Sequence, residues 1–166
     1  QIIILILSSL FIFLSVVIFI EGKERLGLFF LFLGSLGLGI FISGLDQFLN
    51  LWDEQYHALV AKNLLQDPLK PVLYSEPVLA YNYDNWTANY IWLHKQPLFL
   101  WQIALSIKIF GINTLAVRIP SIIMHALLAP IIYRIGKIAV NPVAGFYGAL
   151  FFSVAFYPLE LLTGKF

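Results

Sequence analysis

From Ile2 to Ile20 the chain runs nineteen residues without a charge, relieved only by Ser8, Ser9 and Ser15. As a helix this run covers about 30 Å, the thickness of a bilayer's hydrocarbon core. A cleavable signal peptide would start with basic residues, have a shorter apolar centre and end in small residues, and none of these is present. The segment therefore reads as a transmembrane helix, which places everything after it in a membrane protein.

The rest of the chain agrees. Of 166 residues, 60% are hydrophobic and 11% charged, proportions outside those of ordinary soluble domains. After the polar turn Glu21-Gly22-Lys23-Glu24-Arg25, Leu26 to Leu45 offers a second span, in which Gly34, Ser35 and Gly39 would let another helix approach closely. Further spans are expected at about 119–135, opening after Arg118 with Pro120 in its first turn, and at about 143–162. The net charge of +1, with no run of Lys or Arg, excludes the basic field that nucleic acid needs. The absence of cysteine excludes disulfides and thiolate metal sites. Because the sequence begins within one apolar run and stops just after another, it reads as the N-terminal part of a longer polytopic protein. The expected fold class is all-α: polytopic transmembrane helices and a large external loop, 46–118, carrying interfacial helices.

That loop opens with Asp53-Glu54, and an acidic pair next to lipid is costly enough that its default reading is functional. Tyr56, Leu59, Val60 and Leu64 recur at spacings of three and four, which predicts a helix over about 54–66 lying along the membrane surface. Asp67-Pro68 ends it. Residues 69–90 are rich in Pro, Tyr and Asn, a composition for irregular or short extended structure, and include the formal glycosylation sequon Asn85-Trp86-Thr87. The loop closes with Trp92-Leu93-His94-Lys95-Gln96-Pro97, so it begins with carboxylates and ends with cations.

Leu98 to Gly111 is apolar, but fourteen residues span only about 21 Å, and the segment contains Gln102 and Lys108. Positive charge favours the cytoplasmic side, which places the Lys23/Arg25 and Arg134/Lys137 connections there and the long loop outside. If 98–111 crossed, the Arg134/Lys137 turn would fall outside. It is therefore expected as a juxtamembrane or re-entrant helix.

The strings WDEQYHALVAKNLL and HKQPLFLWQIALSIKIFGINTLAVRIPS resemble the membrane glycosyltransferases of the GT-C type, in the pattern shared by protein O-mannosyltransferases, aminoarabinose transferases and Rgt-like transferases. The matching features are Asp53-Glu54, Lys95-Gln96-Pro97-Leu98, Phe110-Gly111 and Ala116-Val117-Arg118-Ile119-Pro120, with Gln96 where many relatives have proline. The resemblance covers roughly Leu45 to Lys137. It implies a sugar donor carried on a polyprenyl phosphate, a lipid, protein or glycan acceptor, and a multi-pass location among membrane lipids. The membrane would be a bacterial or archaeal plasma membrane, or the endoplasmic reticulum of a eukaryote.

Sugar transfer needs a base for the acceptor and positive charge for the departing phosphate. Asp53 and Glu54 are the catalytic candidates, Lys95 and Arg118 the candidates for the donor phosphate, and Tyr56 and His94 candidates for substrate binding. Two fixed cations can neutralise a phosphate leaving group, so no cofactor is required; a divalent metal is possible but not indicated.

Each residue also has a structural reading. Asp53 suits a helix N-cap, Glu54 suits the helix dipole, and His94, Lys95 and Arg118 suit interfacial anchors. A transporter or channel fragment is the alternative function, but it would place ionisable groups or broken helices near the midplane of the spans. A passive scaffold would not need acidic and basic motifs at opposite ends of one loop.

Overall fold

The computed structural model describes residues 1–85 and 89–163. Trp86 and Thr87 of the sequon lie outside the described residues. The helices in chain order are α1 (Ile2–Ile20), α2 (Glu24–Ser43), α3 (Asp53–Leu64), α4 (Pro97–Phe110), α5 (Thr114–Ala139), α6 (Pro142–Val154) and α7 (Phe156–Leu161). Among the described residues there is no strand, only one antiparallel bridge between Val72 and Ile91. α1, α2 and α5 are long and apolar enough to cross a membrane. The all-α membrane architecture is thus present, arranged as two compact units.

The first unit comprises 1–47 and 121–166. α1 and α2 pair through small residues: a Cβ on Gly27 would meet the Ser15 carbonyl oxygen and Phe19, and one on Gly34 would press into Ile12. Gly39 instead faces Ile122 of α5. At the other end of α2, Glu24 accepts a 2.6 Å hydrogen bond from the Tyr133 hydroxyl. Together these two contacts make α2 and α5 antiparallel. Leu31, Ala129, Tyr133, Phe146 and Ala149 form the core, and Phe19 stacks on Phe146 with ring centroids 4.0 Å apart. The outer face of α1 stays apolar and exposed, with Ile2, Phe13 and Ile20 each more than 60% accessible, as a lipid-facing surface would be.

The run expected as one span over 143–162 is two helices, α6 and α7, separated at Ala155 (φ −66°, ψ 138°). Pro158 explains the break. In a continuous helix its ring would clash with the carbonyl of Val154, whereas in the first turn of α7 it needs no N–H partner.

The second unit, 48–120, contains α3, α4 and the opening turns of α5. Val60, Ala61 and Leu64 of α3 pack on Leu100, Ile103, Ala104 and Ile107 of α4 and on Ala116 and Val117. The stripe on α3 is therefore used to hold α4. Pro97 sits at the first position of α4, where a missing N–H costs nothing, and α4 ends at Gly111 with φ +83°, a conformation that side chains disfavour. Asn113 then starts α5, its Oδ1 accepting the Ala116 N–H at 2.8 Å.

α5 begins five residues earlier than the expected span, so Pro120 lies inside the helix and Ala116 loses its normal backbone donor. Ser106 replaces that donor: its Oγ–H bonds to the Ala116 carbonyl at 2.6 Å.

Candidate active site

The site residues cluster around the start of α3. Trp52 is the N-cap of this helix and has φ +71°, unfavourable for a residue with a side chain. Asp53 is therefore the first helical residue and not the cap. Its Oδ2 lies 3.4 Å from Lys95 Nζ, with both side chains about 40% exposed. The opening and closing motifs of the loop meet at this ion pair.

Glu54 points the other way. Arg118, on the second turn of α5, holds it with a fork: Nε to Oε1 at 2.6 Å and Nη2 to Oε2 at 3.0 Å. Nη2 also donates to the Phe48 carbonyl at 2.9 Å, and Glu54 Oε2 accepts from the backbone N–H of Asn50 at 2.7 Å. Arg118 is 2% exposed and Glu54 8%, so the pair is sealed within the unit. Burial of two charges is tolerated only when lone pairs and protons are satisfied in this way. The clamp ties Phe48 and Asn50, before α3, to α5, and so fixes the backbone on which Asp53 stands.

Beside Asp53 lies a cavity of about 600 Å³ lined by Trp52, Tyr56, Tyr74, Tyr90, Trp92 and His94 among others. Tyr56 stacks on Trp92 (centroids 5.3 Å apart, 28° between planes), and His94 meets Trp92 edge-on at 5.4 Å. The wall formed by 73–80 and 89–91 is pinned at its base, where the Leu73 N–H donates to Tyr90 O at 2.7 Å and the Trp92 N–H to Pro71 O at 2.9 Å. Asn63 of α3 reaches the carbonyls of Val72 and Leu73 at 2.8 and 3.0 Å. Asn89 braces the interior of the loop, accepting from the Asn82 N–H at 2.6 Å and donating to Asn82 O at 2.7 Å. The many asparagines of this stretch thus replace regular structure with side-chain bonds.

His57 packs edge-on against Phe99, and its Nε2 is buried with no hydrogen-bond partner among the described residues. Burial pushes His57 below the usual imidazole range, opposed by the smaller pull of the Asp53 carboxylate. Among the described residues no group of three His, Cys, Asp or Glu side chains could hold a metal ion.

Of the residues singled out in the sequence, Asp53, Tyr56 and His94 line the cavity and Lys95 pairs with Asp53. Glu54 and Arg118 bind each other instead. Sequence reasoning did not single out Trp52, Tyr74, Tyr90 and Trp92 as wall residues. The available signal was aromatic density in a loop with no helical or strand period. Gln96 has φ −67° and ψ 143°, a backbone that proline also adopts.

No curated protein and no solved structure matches the chain. Residues 94–165, from His94 through Arg118 and most of the following helices, match the family model described as Dolichyl-phosphate-mannose-protein mannosyltransferase, a match that supports a membrane glycosyltransferase at family level.

Proposed function

We propose that this chain forms the catalytic end of a membrane glycosyltransferase that moves a sugar from a polyprenyl-phosphate donor to a lipid, protein or glycan acceptor. The observation that carries the reading is the Asp53–Lys95 pair at the edge of an aromatic cavity. Aromatic faces suit the C–H face of a sugar ring. The adjacent ion pair offers a proton acceptor and a phosphate partner within one side-chain length of each other.

In this reaction the Asp53 carboxylate takes the proton of the acceptor group as its heteroatom attacks C1 of the sugar. The bond from C1 to the phosphate oxygen breaks with its electron pair, and polyprenyl phosphate departs. Lys95, with three N–H donors on its ammonium, binds the negative charge that develops there. Glu54 and Arg118 do not touch the reacting atoms in this scheme. They act as positioning residues that hold the first turn of α3 in place.

In this reading the segment between α2 and α5 is external, and α4, too short at fourteen residues for a full crossing, is a juxtamembrane or re-entrant helix. The positive charges Lys23, Arg25, Arg134 and Lys137 in the connections of the spans support a cytoplasmic place for those turns, and with it an external loop, where lipid-linked sugars replace nucleotide sugars. The membrane would be a bacterial or archaeal plasma membrane, or that of the endoplasmic reticulum.

The test is release of polyprenyl phosphate from a mannosyl or other glycosyl polyprenyl phosphate by the purified full-length protein. Release dependent on an added acceptor supports a transferase. Ion or solute flux in proteoliposomes without release supports the transporter reading.

A further inference from the structure

The membrane-spanning unit carries a second cavity, of about 540 Å³, lined by Glu24, Arg25 and Leu28 of α2 and by Pro130, Tyr133, Arg134, Lys137 and Ile138 of α5. It lies where α2 begins and α5 ends, at a membrane–water boundary. Glu24 supplies the only negative charge among these lining residues, and that charge is already occupied: the Tyr133 hydroxyl and Lys137 Nζ both bond to its Oε2. Arg25 and Arg134 are exposed and have no hydrogen-bond or ion-pair partner among the described residues. The cavity thus has two guanidinium groups without a protein anion, above apolar walls formed by Leu28, Pro130 and Ile138.

We propose that this cavity is a binding site for the phosphodiester headgroup of an anionic phospholipid, with the acyl chains along the apolar side. The charge balance favours an anion, since one carboxylate faces three cations. Guanidinium is suited to a phosphate diester because its planar fork engages two oxygens at once. The depth favours a lipid over a soluble anion: the cavity opens at the ends of two spans and its walls are hydrocarbon. Retention of cytoplasmic positive charge alone would require arginines somewhere in these turns. It would not require them around one cavity beside a carboxylate already neutralised by its neighbours. A bound lipid here would bridge α2 and α5.

The experiment uses the purified, delipidated full-length protein in neutral detergent, with bound lipid counted by native mass spectrometry. The probes are dimyristoyl phosphatidylglycerol, dimyristoyl phosphatidylcholine and inorganic phosphate. The expected result is retention of one phosphatidylglycerol in preference to phosphatidylcholine, and a loss of about 30-fold in affinity for it in Arg25→Gln/Arg134→Gln. Arg25→Lys/Arg134→Lys should recover part of that affinity. These side chains are exposed, so the variants should fold, and an unchanged unfolding temperature in the absence of lipid checks this. Equal retention of the two lipids, unaltered phosphatidylglycerol affinity in the double Gln variant, or competition by inorganic phosphate at equal concentration would each overturn the proposal. The site does not depend on the glycosyltransferase reading, because none of these measurements involves sugar transfer.

Discussion

The Arg118 guanidinium and the Glu54 carboxylate meet in a two-point clamp, 2.6 Å and 3.0 Å long, with side chains only 2% and 7% exposed. Removing one partner leaves the other as a buried charge, so Arg118→Ala should destabilise the protein by about 3–5 kcal/mol. Arg118→Lys should recover only part of this, lacking the fork. Thermal unfolding in detergent measures both. A stable Arg118→Ala protein with impaired donor binding would instead assign Arg118 to the donor phosphate, as its motif suggested.

The Ser106 hydroxyl substitutes for the N–H that Pro120 cannot provide to the Ala116 carbonyl. Ser106→Ala should therefore cost about 1–3 kcal/mol, the penalty for an unsatisfied buried acceptor. In a Pro120→Ala background, where the helix regains its own donor, the same change should cost clearly less. A double-mutant cycle measures the coupling, and equal costs in both backgrounds would show that the serine bond is incidental.

His57 gives the second unit a pH dependence. Burial places its folded-state pKa below the unfolded value, so the unfolded chain binds the proton more readily. No stability is lost to this group well above its unfolded pKa of about 6.5, and stability falls as the pH drops through that value until the folded state is also protonated. Unfolding temperatures at pH 7.5 and 5.5 should differ more for the native sequence than for His57→Gln. Identical differences in the two would remove burial of His57 as the cause.

The orientation is testable because the chain contains no cysteine. Single cysteines at Val78, 99% exposed beside the aromatic cavity, and at Val140, 70% exposed between α5 and α6, should react with an impermeant thiol reagent from opposite sides of the membrane. Labelling of both from the same side would mean that the segment between α2 and α5 crosses an odd number of times.

Much of this was legible in the sequence because it depends on strong, local signals. The uncharged run at Ile2–Ile20 leaves a helix as its one outcome in lipid, and Pro97 and Gly111 mark the ends of α4 by backbone chemistry alone. The start of α5 was less legible, because Pro120 read as a first-turn proline. Only the distant hydroxyl of Ser106 makes it tolerable further inside the helix. The break before Pro158 was missed because the apolar composition continues across it. Within the site, adjacency in sequence suggested a shared role for Asp53 and Glu54. Successive helical positions project about 100° apart, however, which directs Asp53 to Lys95 and Glu54 into the interior toward Arg118. The aromatic wall arises from pairing of residues 71–73 with 90–92, a contact that no local period announces.

The central claim is that Asp53 accepts the proton of the acceptor, and Asp53→Asn tests it most directly. Asp53 is the first helical residue rather than the N-cap, and its pairing with Lys95 is partly exposed, so the substitution should change stability by less than about 1 kcal/mol. The measurement is turnover of a glycosyl polyprenyl phosphate by the folded full-length variant, with donor affinity determined separately. The account predicts a loss of about 10²–10⁴-fold in turnover with donor binding largely retained. Turnover near that of the native sequence in a well-folded Asp53→Asn protein would contradict it.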